Sequence, residues 1–112
     1  MSETMNTPKS PHTFLDDIYR LHTYHKTDQA LDMIFQWVDE ELKAGRSEKV
    51  DRVLKTANVE VLSEDLLVGL LSATFTAKQL LPEREHLGRR IRLHLAPTIG
   101  EHEAENLLNE FL

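Results

Sequence analysis

The sequence predicts an all-α protein, five to six short antiparallel helices in a helical-hairpin bundle or a short α-solenoid-like stack. Three observations carry that expectation. Apolar residues recur at three- and four-residue spacings in one segment after another. Residues that start or stop helices fall between those segments. The stretch that alternates in the manner of a strand, Val59-Glu60-Val61-Leu62, is four residues long with no partner run, and reads as an extended connector.

The first helix is expected from Pro11 to about Tyr24. Pro11 follows Ser10, and a proline in the first turn loses no helical hydrogen bond; Phe14, Ile18, Leu21 and His25 supply the apolar spacing. The second runs from Thr27 to about Ala44, with Leu31, Ile34, Phe35, Val38 and Leu42 as its stripe and Ala30, Met33 and Trp37 on the flank. Gly45 suits a left-handed C-cap, and Ser47 is placed to cap a third helix striped by Val50, Val53, Leu54 and Ala57.

Ser63 is the expected cap of a fourth helix over 64–80, with Glu64 and Asp65 near the positive end of its macrodipole. Leu66 to Phe75 is apolar nearly all round, so this helix should be the most buried. Gly69 and Ser72 weaken such a helix, and close approach of a neighbour is the physical reason to keep them. Pro82 opens a fifth helix with Leu87, Ile91 and Leu95 inward, and Pro97 should stop it. Thr98 and Glu101 have capping-box spacing for a last helix faced by Ala104, Leu107, Leu108 and Phe111. Short connections predict that consecutive helices pack as successive hairpins.

A chain of 112 residues is one domain. Small, polar, proline-containing residues predict a disordered lead-in over 1–9, followed by a single helical domain over 10–112. The absence of cysteine excludes a disulfide framework, thiolate metal sites and a cysteine nucleophile. No run approaches the roughly 18 apolar residues of a membrane span, and MSETMNTPKS lacks the basic-then-apolar pattern of a secretory leader, so the expectation is a cytoplasmic protein without a membrane partner. A net charge of −6 argues against a general nucleic-acid binder.

The run Ala44-Gly45-Arg46, Ser47-Glu48-Lys49-Val50 and the helices around it, Leu42 to Phe75, resemble the helix–turn–helix units of tetratricopeptide and pentatricopeptide proteins. There a Gly-Arg or Gly-Asp turn precedes a Glu/Lys-Ala/Val helix start. The likeness covers under a third of the chain, no second copy appears at a period near 34, and the Leu-Gly and Tyr partners of the tetratricopeptide pattern are absent. The whole chain is also similar to small uncharacterised helical proteins of bacteria and their phages. These resemblances imply a helical scaffold for binding partners and carry no catalytic residue.

Candidate chemistry is sparse. His22 and His25 lie three apart, close enough to face one metal from adjacent turns with Asp28 beyond, and equally able to pack as half-buried aromatics. Arg84, Arg89, Arg90 and Arg92 make residues 82–95 the positive stretch of an otherwise acidic chain, +2 against −4 over 1–45 and −4 from 97 onward. Such a helix could meet an acidic partner or a phosphate backbone, or be a solvated face with Glu85 and Arg89 paired. No Gly-rich phosphate loop or nucleophile elbow is present, and the carboxylates Asp16–Asp17 and Asp39–Glu40–Glu41 are expected on helix surfaces. Neither a catalytic residue nor a cofactor is assigned.

The remaining signal is apolar. Met33 and Trp37 beside the second stripe, and Leu108 and Phe111 at the chain end, either close the core or form contact surfaces, with Arg84, Arg89 and Arg92 as the charged alternative. The functional expectation is a non-enzymatic protein-interaction module, either self-associating as a homodimer or docking on another protein. The alternatives are a small regulatory protein with a metal or ligand site at His22 and His25, or an anion or nucleic-acid contact through the arginine helix.

Overall fold

The computed structural model describes residues 9–110. They form six α-helices and no strand: α1 (Pro11–Thr23), α2 (Thr27–Lys43), α3 (Ser47–Thr56), α4 (Glu64–Ala73), α5 (Leu81–Ile99) and α6 (Glu101–Asn109), with a 3₁₀ turn at Lys78–Leu80 before α5. Of the expected lead-in over 1–9, residues 1–8 lie outside the described residues, as does Phe111, while Lys9 is held by the Trp37 indole and by Asp17.

Helices pack on their neighbours and on the helix after next: α1 on α2 and α3, α2 on α3 and α4, α3 on α5. Alternate helices therefore lie side by side, α1, α3 and α5 in one layer and α2 and α4 in the other. The shortest dimension, 19 Å, is that of two helix layers. The simple succession of hairpins fails at one place: α3 and α4 are not among the extensive pairings. The connector between them, fastened by the Asn58 amide donating to the Tyr19 hydroxyl at 3.1 Å and by Asn58 Oδ1 accepting from the Glu60 amide at 2.9 Å, carries the chain across to α2 instead.

Local chemistry explains several boundaries. Ser63 accepts from the Leu66 amide as expected, and Ser10 accepts from the Thr13 amide, a cap not expected from the sequence. Ser47 is instead the first residue of α3, behind Arg46, and no side chain caps that helix. Helix α4 stops at Ala73, short of the expected 80, and Thr74 at its end bonds its hydroxyl back to the Leu70 and Leu71 carbonyls at 2.8 and 3.3 Å. Helix α5 runs through Pro97 to Ile99. Pro97 sits in the last turn, where the bond it removes is the one to the Leu93 carbonyl, on an exposed residue that water reaches. Thr98 thus lies inside α5 and the capping box is not made; Gly100, at φ 93°, bends the chain into α6.

The α1–α2 and α2–α3 turns are built alike. His25 donates its amide to the His22 carbonyl and Lys26 to Leu21; Gly45 donates to Leu42 and Arg46 to Glu41. Both are Schellman ends, with the residue in the left-handed region being Gly45 at φ 78° and His25 at φ 60°. His25 is therefore past the helix and exposed, not part of the α1 stripe. A non-glycine residue there is strained, so His25→Gly is expected to raise stability by about 0.5–1 kcal/mol and Gly45→Ala to lower it by about 1 kcal/mol, both read from urea unfolding.

The core draws on every helix, and α4 contributes Leu66, Leu67, Gly69, Leu70 and Leu71 to it, as its composition predicts. At Gly69 a Cβ would stand 2.6 Å from Leu31 Cδ2, the close approach inferred from the sequence. Helix α2 differs from expectation. Its buried line is Ala30, Ile34, Trp37, Val38 and Glu41, while Phe35 is 47% exposed. Covered by α1 and α3 as well as α4, this helix buries a wider face, centred on what the periodicity ranks as the flank.

Glu41, expected at the surface, is 1% exposed and receives Arg46 Nε at 2.6 Å and Lys49 Nζ at 3.3 Å. These are the basic residues of the Gly-Arg turn and of the helix that follows it. Burial pushes the Glu41 carboxyl up, but the hydrogen bonds and charges of Arg46 and Lys49 outweigh that and hold it below the usual carboxylate value. A carboxyl that titrates lower in the folded state stabilises fully above the unfolded value, near 4.5, and loses that contribution as pH falls through the folded value. Glu41→Gln is expected to cost about 1–3 kcal/mol at neutral pH, a difference from wild type that shrinks on acidification below pH 4.5 in a series of urea titrations.

Candidate functional site

The four arginines of α5 separate into two pairs with different work. Arg84 is 3% exposed and donates Nε to the Thr74 hydroxyl and Nη2 to the Leu71 carbonyl, both at 3.1 Å. Arg90 donates Nη1 to the Ala57 carbonyl at 2.7 Å and Nη2 to the Leu54 carbonyl at 2.6 Å. Each guanidinium thus closes the C-terminal end of a helix, Arg84 that of α4 and Arg90 that of α3, where carbonyls lack internal donors and the macrodipole is negative. Burial lowers both from the usual arginine value, with the neighbouring Tyr19 opposing the effect at Arg90. Arg84, expected on a partner-binding face, is a structural residue.

Arg89 and Arg92 remain. They line a shallow cleft between α5 and α6 together with Gly88, Glu105, Leu108 and Asn109. Among the described residues neither arginine makes an ion pair or hydrogen bond, and the expected Glu85–Arg89 pair is not formed. Helices α5 and α6 pack extensively on one another, joined through the single residue Gly100 as the arms of a hairpin. Beside it stands Leu93, four residues on from Arg89 and 70% exposed, a large apolar side chain in water. Arg89, Arg92 and Leu108, three residues singled out from sequence, line this cleft, but Leu108 is 5% exposed and belongs to the core instead of forming a free apolar surface.

Trp37 and Met33 lie elsewhere. Trp37 is 4% exposed, stacked on Phe14 at 4.2 Å between ring centroids, and donates its indole N–H to the Lys9 carbonyl at 3.1 Å. It closes the core and is no exposed anchor; Met33 packs partly buried against the same core. His22 is half-buried and His25 exposed, and among the described residues no group of three or more histidine, aspartate or glutamate side chains is placed to hold a metal ion.

No family model, curated protein or solved structure matches this chain. No helix among the described residues is long and apolar enough to cross a membrane. Leu93 and Gly88 are the site residues that periodicity missed. The signal for Leu93 was available: it lies off the Leu87–Ile91–Leu95 face, and an apolar residue on a charged face needs a reason.

Proposed function

We propose that this chain is a non-enzymatic, cytoplasmic protein-interaction module whose contact surface is the α5–α6 hairpin. The observation that carries the reading is the pair of arginines, Arg89 and Arg92, without an ion pair or hydrogen bond among the described residues, beside exposed Leu93 and the cleft that Leu108 floors. Arginine supplies directional donors on a stem that also packs, and an adjacent leucine supplies area to desolvate, the composition of a protein contact. A phosphate-backbone contact draws less support, because Arg84 and Arg90 are committed to helix ends and two cations make a small electrostatic footprint.

The test is affinity capture by the immobilised full chain and by its Arg89→Glu/Arg92→Glu and Leu93→Asp variants. A protein retained by wild type and lost from both variants supports the reading. Equal retention by all three, or retention of nothing including the chain itself, overturns it.

A further inference from the structure

We propose that the α5–α6 hairpin is a self-recognition surface on which a second copy of this chain docks about a two-fold axis running along the hairpin. This deepens the interaction reading above and rests on it.

The argument is one of charge and symmetry. Helix α5 presents Arg89, Arg92 and Leu93 on one side of the hairpin; α6 beside it presents exposed Glu101 and Glu105, one turn apart on one face. Among the described residues none of the four charged groups is ion-paired, although Arg92 and Glu105 line the same cleft. A positive stripe lying parallel to a negative one is complementary to its own copy. Face to face about an axis parallel to the stripes, each α5 lies over the partner's α6, and like charges fall on the diagonals. Such an axis preserves height along the hairpin. Arg92 and Glu105 line the same cleft, so such an axis brings Arg92 of one copy towards Glu105 of the other. An axis across the hairpin would set like against like, so the pattern selects one orientation.

The same pattern disfavours a simple acidic peptide as occupant, which would lie alongside Glu101 and Glu105 with no cation to offset them. Glu85, on the arginine side of α5, stands at its N-terminal end, away from the two α6 carboxylates. Leu93, 70% exposed, supplies an apolar side chain to bury within the charged rim.

The experiment is a charge exchange read by light scattering and sedimentation of the full chain up to roughly millimolar concentration. Wild type is expected to rise with concentration from 12.9 kDa to twice that mass, with association weakened by added salt. Arg89→Glu/Arg92→Glu and Glu101→Arg/Glu105→Arg should each stay at one chain's mass, and mixing them in equal amounts should restore the dimer. Circular dichroism and thermal melts confirm folding of each variant, and Leu93→Asp provides an independent loss of the dimer without altering either stripe. A wild type that stays monomeric overturns the proposal, as does a dimer that survives both charge variants. A monomeric wild type that still captures another protein through Arg89 and Arg92 overturns self-recognition and leaves the interaction reading standing.

Discussion

Trp37→Ala is expected to lower the stability of the chain by about 4 kcal/mol, the largest effect of any single substitution considered. Three contacts disappear together: the stack on Phe14 at 4.2 Å, the indole hydrogen bond to the Lys9 carbonyl at 3.1 Å, and Lys49 Nζ over the ring at 5.9 Å. Phe14 is fully buried and cannot move out to fill the space, so most of the ring volume is left as a cavity. A domain of this size holds about 6–17 kcal/mol in all, so the variant should melt roughly 15 °C earlier. Trp37→Phe keeps the stack and loses the indole donor, leaving the Lys9 carbonyl to water. It should recover more than half of the loss. Equal losses for the two variants in thermal and urea unfolding would show that the hydrogen bond, not ring packing, holds this corner.

Arg90→Ala is expected to cost about 3 kcal/mol, although the residue is only part-buried and makes no ion pair with a described residue. The cost arises at α3, whose Leu54 and Ala57 carbonyls end a helix against α5 and would lose their charged donors. Lysine restores charge but offers a point donor where a fork spans two carbonyls, so Arg90→Lys should recover less than half. Urea unfolding measures the losses. Hydrogen exchange locates them: faster exchange should concentrate in the last turn of α3. A uniform acceleration over the whole chain would argue that Arg90 acts through general packing instead.

Local effects were legible in the sequence, and effects that act across the fold were not. Ser10, Pro11 and Ser63 act on backbone within four residues, so their effects are written locally and their helices begin where expected. Gly69 was legible for a different reason: a glycine in an apolar helix is costly, and a close neighbour is a sufficient cause. Trp37 was legible only as a choice between core and contact surface, because periodicity ranks the faces of an isolated helix and α2 is covered from both sides. Arg90 serves carbonyls 33 and 36 residues away, so nothing adjacent to it betrays the role. Pro97 shows a local rule overridden by position, since one missing bond in a final exposed turn costs little. In the candidate site, the positive character of α5 was legible as composition. Its division into two arginines that hold the fold and two that face outward required the tertiary arrangement.

The stacking of alternate helices has a consequence for motion. Each inner helix is gripped from two or three directions, whereas among the described residues α6 packs extensively on α5 alone. Opening α6 breaks one interface and leaves the rest of the stack intact, so this terminal helix should unlatch as a unit well before global unfolding, the behaviour of an end module in a quasi-one-dimensional array. The surface assigned to recognition is therefore also the softest edge of the molecule. A docking partner that clamps α6 against α5 would suppress that opening, converting part of its binding energy into rigidity of the chain it binds.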